Sequence, residues 1–342
     1  MSFQYVRTIQ SPEEIREAYP VPSDRLREFR QRIQDIIDVL TRRSEKFLII
    51  IGPCSAHNED AVLEYVNRLA KLQDEVKEKL VLVPRIYTNK PRTTGEGYKG
   101  MAHQPDPEQD PDIAGGIVAI RKMHIRSFLE TSLVAADEML YPENYPYLED
   151  ILGYVAVGAR SVENQLHRLT ASGLDVPVGM KNPTSGDLDV MLNSVYAAQL
   201  PHDFIYSRKA VHTSGNPYAH CVLRGAIDHH GHCIPNYHYE DLMTLVERYQ
   251  KRPYKNPAII VDTNHANSGK RFSEQPRIAH EVMQNRKHSP ILRDFVRGLM
   301  IESYLVEGCA PVGRAKFGQS ITDPCLSWND SAQLVRELAA EV

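Results

Sequence analysis

The sequence predicts an α/β protein of the (β/α)8, or TIM-barrel, class with a short N-terminal helical extension. Eight short apolar segments recur along the chain, and segments of helical period lie between most of them. Near-continuous apolar runs are typical of strands buried on both faces of a parallel sheet. Strands that alternate with helices indicate βαβ units, and eight such units within 342 residues favour one closed barrel over an open sheet.

Eight strands and five helices account for most of the chain beyond residue 46. The predicted strands are residues 47–54, 80–87, 133–139, 154–160, 176–182, 220–225, 258–267 and 298–305. The predicted helices are residues 60–76, 113–129, 161–169, 188–198 and 239–249, each with one apolar face. Ser161 and Asp187 stand where helix N-caps are expected, since their side chains accept hydrogen bonds from a first helical turn.

Residues 1–46 precede the first strand and are predicted to form the extension, whereas residues 47–342 form the catalytic barrel. Within the extension, residues 24–42 have the pattern of an amphipathic helix. Its apolar face is expected either to cover the bottom of the barrel or to meet a neighbouring subunit.

Composition excludes several classes of protein. With 44 acidic and 40 basic residues the net charge is −4, which argues against a nucleic-acid-binding protein. No apolar stretch approaches the roughly 20 residues that span a bilayer, and no signal peptide opens the chain, so no membrane partner is expected. Five cysteines without a framework spacing are typical of a reducing compartment, which predicts a cytoplasmic protein.

Polar side chains follow the predicted strands at their carboxyl ends, which is the face on which barrels build active sites. These side chains are Cys54, Arg85, Glu138, Arg160, Lys181, Arg224, His265 and Glu302. A single member has an ordinary structural reading, such as a buried cysteine or a solvated loop arginine. Their joint occurrence at one end of the strands predicts a functional mouth.

Four of the expected mouth residues offer ligands for one divalent metal ion. Cys54, His265 and Glu302, joined by Asp323 in the loop after the eighth strand, supply sulfur, nitrogen and oxygen atoms. A mixed soft and hard donor set suits Mn²⁺, Fe²⁺, Co²⁺ or Zn²⁺ better than Mg²⁺ or Ca²⁺. The four residues come from distant parts of the chain and can meet only if the barrel closes.

A second set is cationic and predicts anionic substrates. Its members are Arg85, Lys90, Arg92, Lys99, Arg160, Lys181 and Arg224. So many positive groups at one mouth require anions to neutralise them, and arginine in particular pairs with phosphate and carboxylate. Because no P-loop or GxGxxG motif occurs, small phosphorylated acids or sugars are more natural occupants than a nucleotide.

Several motifs resemble, in order, those of the type I 3-deoxy-D-arabino-heptulosonate 7-phosphate (DAHP) synthases. They are GPCSAH (52–57), KPRTTGEGYKG (90–100), GARSVENQ (158–165), KNPTSG (181–186), LRG (223–225), DTNHANSGK (262–270), ESYLVEG (302–308) and SITDPC (320–325). The resemblance runs from about residue 45 to the C-terminus. The KPRT segment is the specific signal, because it separates this family from the 3-deoxy-D-manno-octulosonate 8-phosphate synthases.

The resemblance implies a transferase that condenses phosphoenolpyruvate with erythrose 4-phosphate and releases phosphate, the first step of the shikimate pathway of aromatic amino acid biosynthesis. The implied metal ligands are Cys54, His265, Glu302 and Asp323. The implied phosphoenolpyruvate-binding residues are Arg85, Lys99, Ala159 through its N–H, Arg160, Lys181 and Arg224. The implied erythrose 4-phosphate-binding residues are Lys90, Pro91, Arg92 and Thr93.

The implied chemistry assigns catalytic roles to Cys54 and His265, through the metal, and to Glu138 and Lys181. The metal acts on the aldehyde as a Lewis acid, and C3 of phosphoenolpyruvate attacks that carbon. Glu138 orients or deprotonates the water that adds at C2, and Lys181 donates a proton or only neutralises charge. Family habit favours a homodimer or homotetramer.

Three departures from the family pattern bear on these expectations. Tyr98 replaces a tryptophan in a loop with an apparent extra residue, which weakens the assignment of Lys99, and Pro183 stiffens the turn after Lys181. Feedback-inhibited members bind an aromatic amino acid beside a hairpin before strand six. Here residues 204–214 are shorter than that hairpin, and Asp175 stands where serine is common. We therefore expect insensitivity to phenylalanine and tyrosine, or an altered regulatory ligand.

Two alternative functions remain open at this point. One is a family member that acts on a related aldose phosphate, including an amino-sugar analogue in specialised metabolism. The other is a catalytically inactive sugar-phosphate sensor, which predicts the loss of at least one metal ligand or anion-binding residue. No such residue is missing from the sequence.

Overall fold

A computed structural model describes residues 2–342, within which there are fourteen strands and ten α-helices. The strands are β1 (Phe47–Gly52), β2 (Leu80–Pro84), β3 (Ala135–Glu138), β4 (Leu152–Val157), β5 (Val178–Lys181), β6 (His202–Tyr206), β7 (Lys209–Thr213), β8 (Ala219–Leu223), β9 (Ala226–Ile227), β10 (Cys233–Ile234), β11 (Ile259–Asp262), β12 (Val296–Glu302), β13 (Val306–Cys309) and β14 (Gln319–Ser320). The helices are α1 (Pro12–Ala18), α2 (Leu26–Leu40), α3 (Glu59–Val76), α4 (Ile113–Thr131), α5 (Gln165–Ala171), α6 (Leu188–Ala198), α7 (Tyr239–Tyr249), α8 (Gln275–His288), α9 (Pro290–Phe295) and α10 (Trp328–Glu341). Across these described residues, none of the helices combines the length and the apolar character that crossing a membrane requires.

Eight strands pair in parallel, in the order β2-β1-β12-β11-β8-β5-β4-β3. The two ends of this sheet meet after β2, where Arg85 forms a parallel bridge with Ala136 of β3. Next to that bridge, the Ile86 N–H donates to the carbonyl of Ala136 at 2.9 Å. Each of the eight strands overlaps one of the eight predicted segments, and the predicted (β/α)8 barrel is confirmed.

Two predicted boundaries on the fourth βα unit are wrong. Strand β4 ends at Val157, so Arg160 lies in the following turn and not in the strand. Helix α5 begins at Gln165, and its N-cap is Asn164, whose side chain accepts hydrogen bonds from Leu166 and His167. Ser161 belongs to the turn instead, because its N–H donates to the carbonyl of Gly158 at 3.0 Å. The N-cap predicted at Asp187 is confirmed.

Helix α2, predicted as residues 24–42, covers the amino ends of the barrel strands. Its buried residues Phe29, Ile36 and Val39 belong to the main hydrophobic core. The buried Arg297 near the start of β12 donates to the carbonyls of Val39 at 2.9 Å and Ser44 at 2.7 Å. The apolar face of this helix is therefore used within the chain, against the bottom of the barrel.

One polar pair passes over strand β5 and joins its two neighbouring strands, β4 and β8. Tyr154 of β4 donates its hydroxyl to His220 of β8 at 2.9 Å, and both side chains are buried. The other ring nitrogen of His220 lies 2.8 Å from the carbonyl of Tyr218 and donates to it, so the ring is neutral. Gly179 makes room for this pair, because a Cβ atom there would lie 2.1 Å from the Tyr154 hydroxyl.

The interior histidine predicts a specific loss of stability in acid. Burial lowers the pKa of His220 to about 4, whereas an unfolded histidine titrates near 6.5. The unfolded chain therefore gains a proton first, and stability present above about pH 6.5 is lost as the pH falls toward about 4, by up to about 3 kcal/mol. Urea unfolding between these pH values measures the loss.

The variant His220→Gln serves as the matched control, because it removes this titration at the same site. Its unfolding free energy is expected to fall less steeply over the same pH interval. Equal slopes for the variant and the wild type would contradict the assignment.

Candidate active site

A cavity of about 270 Å³ opens at the carboxyl ends of the barrel strands, where the sequence predicted a functional mouth. Most of the predicted site residues line it. They are Cys54, Arg85, Lys90, Pro91, Arg92, Thr93, Glu138, Ala159, Arg160, Lys181, Arg224, His265 and Asp323. Glu302 lies directly behind this wall and is buried. Lys99 is not among the lining residues.

The predicted metal ligands lie together on one side of the cavity. Donor atoms of Cys54, Glu302 and Asp323 all lie within 4.8 Å of one another. His265 is adjacent, with Nε2 at 3.7 Å from Glu302 Oε1. Its backbone has a φ of 55°, a left-handed conformation that non-glycine residues seldom adopt outside functional or strained positions. Sulfur, nitrogen and carboxylate donors therefore converge, and these residues fit a divalent cation.

Electrostatics keeps the two carboxylates of this cluster ionised. Burial alone would raise the pKa of Glu302, but the attraction of Arg85 and His265 outweighs it and lowers that pKa. In the same way, Lys90 outweighs burial and lowers the pKa of Asp323. The Cys54 thiol behaves oppositely, because burial and the negative charge of Glu302 raise its pKa to about 11.

Three cations of the cavity have anionic partners. Arg85 Nη2 lies 2.9 Å from Glu302 Oε1, and Lys90 Nζ lies 2.7 Å from Asp323 Oδ2 and 2.8 Å from Cys54 Sγ. Lys181 Nζ lies 3.1 Å from a carboxylate oxygen of Asp262. Pairing of this kind offsets the cost of burying charge.

Two further cations are less fully paired. Burial lowers the pKa of Arg224, and its Nη1 atom is buried without a hydrogen-bond partner. Arg160, in the turn after β4, donates to the hydroxyl of Thr93 at 2.8 Å. These two guanidinium groups retain donor capacity toward an anion in the cavity.

The sequence did not predict the buried residues that contact and orient the predicted metal ligands. Asp262 ends β11 and contacts both Lys181 and, at 2.9 Å, His265 Nδ1. Asn264 donates to Glu302 Oε2 at 2.6 Å, and the buried Gln275 holds the backbone of Glu302 on both sides. Asp262 and Asn264 stand in the motif DTNHANSGK, so their position beside His265 was the available signal.

Tyr87 is a further cavity residue that the sequence did not predict. It is buried, its ring lies 3.8 Å from the Arg85 guanidinium carbon, and Lys181 Nζ lies 5.9 Å from the ring centre. Cation–π contacts of this kind orient both side chains toward the cavity. Nothing in the sequence distinguished this tyrosine from an ordinary apolar strand residue.

The loop of residues 90–100 is closed on itself by one main-chain and one side-chain hydrogen bond. The Lys90 N–H donates to the carbonyl of Lys99 at 2.9 Å, and Arg92 Nε donates to the carbonyl of Tyr98 at 2.8 Å. The Tyr98 ring, which stands in place of the expected tryptophan, is buried. The carbonyl of Lys99 thus closes the loop. The binding of phosphoenolpyruvate by its side chain remains a prediction.

The fold is a (β/α)8 barrel whose mouth combines a cluster of possible metal ligands with several cationic side chains. The sequence profile of the DAHP synthetase I family matches residues 19–336. The Tyr-sensitive phospho-2-dehydro-3-deoxyheptonate aldolase of Escherichia coli K12 is 35% identical over 341 residues, covering 97% of this chain and 92% of that protein. The Phe-sensitive enzyme of the same organism is 34% identical over 98% of this chain and 95% of its own length.

A solved structure shares the fold throughout. The phospho-2-dehydro-3-deoxyheptonate aldolase of Francisella tularensis SCHU S4 superposes with a TM-score of 0.92 and 28% sequence identity, covering 100% of this chain and 98% of that chain. Together with the profile match, this places the chain in the DAHP synthetase I family, and the family predicted from the motifs is confirmed.

The raised pKa of Cys54 predicts an unreactive thiol in the metal-free protein. At pH 8 a thiol of pKa about 11 is ionised in roughly one molecule in a thousand. Iodoacetamide is therefore expected to modify the exposed Cys233 and Cys309 at least ~100-fold faster than Cys54. Mass spectrometry of the cysteine peptides over time measures the rates.

Cys221 is the matched control, since it is also buried and its pKa is raised to about 12. It should remain as slow as Cys54, and unfolding in guanidinium should equalise all five cysteines. Labelling of Cys54 at the rate of Cys233 in the folded protein would contradict the prediction.

Proposed function

We propose that this protein is a metal-dependent DAHP synthase, which condenses phosphoenolpyruvate with erythrose 4-phosphate at the barrel mouth. The observation that carries the proposal is one cavity with a Cys54–Glu302–Asp323 donor cluster on one side and paired cations around it. Family membership supplies the reaction, the first step of aromatic amino acid biosynthesis, as the relatives named above carry this activity in their names.

Arg85, Arg160, Lys181 and Arg224, with the N–H of Ala159, bind phosphoenolpyruvate. The partly unpaired guanidinium groups of Arg160 and Arg224 support this role, because phosphate and carboxylate accept paired hydrogen bonds from arginine. Lys99 joins this set by motif position alone, since it does not line the cavity.

Erythrose 4-phosphate binds along Lys90, Pro91, Arg92 and Thr93, which line the same cavity. Arg92 is the phosphate-binding member, since its fork-shaped donors match a phosphate group. Arg160 contacts Thr93, so the two proposed subsites adjoin, as a bond-forming reaction between two bound substrates requires.

Cys54, His265, Glu302 and Asp323 hold one divalent ion of Mn, Fe, Co or Zn. Their sulfur, nitrogen and oxygen donors suit these metals, and the ion supplies Lewis acidity that polarises an aldehyde oxygen. Asp262 orients the His265 ring from behind through Nδ1, which leaves Nε2 directed toward Glu302.

Proton movements fall to Glu138 and Lys181. C3 of phosphoenolpyruvate bonds to the aldehyde carbon, water adds at C2, and the C–O bond to phosphate then breaks. Glu138 orients or deprotonates that water, because its buried Oε1 has no hydrogen-bond partner and its carboxylate lines the cavity. Lys181, paired with Asp262 at the cavity wall, donates a proton or neutralises the developing oxygen anion.

A related aldose phosphate that carries an amino group is the second candidate for the acceptor. Glu96, in the loop with the extra residue, lines the cavity near Arg92 and supplies a carboxylate that would pair with an ammonium group. Phosphoenolpyruvate would remain the donor in that case. A sugar-phosphate sensor is disfavoured, because the ligands and anion-binding residues are present.

Phosphate release tests the proposed function. Phosphoenolpyruvate alone should release no phosphate, its mixture with erythrose 4-phosphate should, and EDTA should abolish release until Mn²⁺ is restored. An amino analogue of erythrose 4-phosphate, compared by kcat/KM, separates the two acceptors. Cys54→Ala and His265→Ala are expected to lose at least ~1000-fold in kcat because the metal ligands act only together.

Cys309→Ala, at an exposed position outside the cavity, is the matched control and should retain activity. Circular dichroism and metal binding by calorimetry separate loss of fold from loss of the ion. Full activity in EDTA would contradict the metal assignment, and release from phosphoenolpyruvate alone would contradict the condensation.

We further propose that the aromatic amino acid site of the feedback-inhibited relatives is reduced here. Strands β6 and β7 form a hairpin with a two-residue turn at Ser207 and Arg208, whose φ values of 47° and 62° are typical of a tight hairpin turn. Tyr206 lies against residues 142–147, donating to the carbonyl of Pro142 at 3.4 Å. This contact joins the hairpin to residues 142–147.

The short hairpin predicts that phenylalanine and tyrosine do not inhibit. Initial rates of phosphate release should stay unchanged with either amino acid up to about 1 mM, whereas inhibition by tryptophan alone would indicate an altered ligand at the same place. Saturable inhibition by phenylalanine or tyrosine at micromolar concentration would contradict the proposal.

We propose that residues 1–46 are an extension of the 47–342 barrel and that the protein assembles as a homodimer or homotetramer. Phe3, Tyr5 and Val6 are exposed by more than four-fifths of their surface, which supports association through this segment. The five free cysteines support a cytoplasmic location.

A further inference from the structure

A buried carboxylate lies directly behind the cavity and belongs to none of the roles described above. Asp137, the residue before Glu138 in β3, is 2% exposed. Its Oδ1 accepts hydrogen bonds from the N–H groups of Thr88, at 2.9 Å, and Glu138, at 2.7 Å. Its Oδ2 accepts the Thr88 hydroxyl and lies 3.4 Å from Nε2 of His124, a fully buried residue of α4.

This carboxylate is costly to bury and is held by an unusual set of partners. No arginine or lysine of the described residues forms an ion pair with it, so neutral donors and one imidazole satisfy it. A buried acid with several donors gives a directional arrangement, because each oxygen has a fixed number of acceptor sites. Two of these donors belong to one residue, Thr88, which is therefore held through both its main chain and its side chain.

Thr88 stands at the point where the chain leaves β2 for the cavity. Its carbonyl accepts from the Ala102 N–H at 3.1 Å, which fixes the far end of the loop as well. Gly100 permits this closure, since a Cβ atom there would lie 2.3 Å from the Thr88 carbonyl oxygen. Two residues further on, Lys90 reaches Asp323 and Cys54. The position of Lys90 and Arg92 is thus determined at Thr88.

We propose that Asp137, supported by His124, is a positioning residue that sets the aldose-phosphate loop of residues 90–100 by clamping Thr88. The inference rests on the proposed function, because it assigns this loop to the aldose phosphate. Asp137 also accepts the Glu138 N–H, so the same carboxylate fixes the strand end that presents Glu138 to the cavity. Of the phosphoenolpyruvate residues, Lys181 ends β5 and Arg224 directly follows β8, and neither forms a hydrogen bond or ion pair with Asp137.

Steady-state kinetics with both substrates tests this pair. Thr88→Val removes the hydroxyl while it keeps the side-chain shape, and it is expected to raise KM for the aldose phosphate by about tenfold, with KM for phosphoenolpyruvate changed less than about twofold. Asp137→Asn should give the same split with a larger effect, because both contacts to Thr88 are altered. Thr88→Ser, which retains the hydroxyl, should restore the wild-type KM.

Ser172→Ala is the matched control. Its buried hydroxyl pairs with Thr213 at 2.7 Å away from the cavity, so its loss should lower the melting temperature without any KM split. His124→Gln, which alters only the outer contact, gives a second route should Asp137→Asn fail to fold, and it should show a smaller rise in the same KM.

Two outcomes overturn the inference. They are an equal rise in both KM values for the folded Thr88→Val variant, and an unchanged KM for the aldose phosphate. Failure of the proposed function is distinct, since the wild-type protein itself would then fail to condense the two substrates. A wild type that condenses them while its Thr88→Val variant shows no split contradicts the positioning role alone.

Discussion

Closure of the barrel is the constraint on which the remaining structure depends. Arg85 directly follows β2, which lies at one end of the sheet order, and its bridge to Ala136 joins β2 to β3 at the other end. The side chain of the same arginine then enters the mouth and contacts Glu302. Because closure sets the strand ends in a ring, Cys54 and Asp323, which are 269 positions apart in sequence, come within 3.4 Å.

Ion pairing offsets the cost of burying charged side chains at the mouth of an otherwise apolar barrel. Three ion pairs surround it: Lys90 with Asp323, which is partly exposed, and the buried pairs Arg85 with Glu302 and Lys181 with Asp262. Removing one partner of such a pair leaves an unpaired buried charge, at a cost of about 3–5 kcal/mol. The cations are thus held in place before any anion arrives, which favours electrostatic stabilisation of charge that moves during reaction.

The sequence predicted the barrel and most of the residues around its mouth, because strand ends in a parallel barrel share one face whatever their separation in the chain. It placed the start of α5 incorrectly, since Ser161 and Asn164 are both good N-cap residues and only the turn after Gly158 decides between them. Asp262, Tyr87 and Asp137 escaped notice because their importance lies in what they contact behind the cavity. Such contacts depend on strand register, which a linear pattern does not specify.

The interior pairing of Tyr154 with Gly179 restricts how relatives of this chain can diverge. A tyrosine whose hydroxyl passes over the neighbouring strand requires the residue beneath it to have no side chain, since a Cβ atom would overlap that hydroxyl. Neither position can change its side-chain volume alone, because a larger side chain at one requires a smaller side chain at the other. In an alignment of descendants, these two positions should therefore covary as a volume-conserving pair, together with the histidine that accepts the hydrogen bond of the hydroxyl.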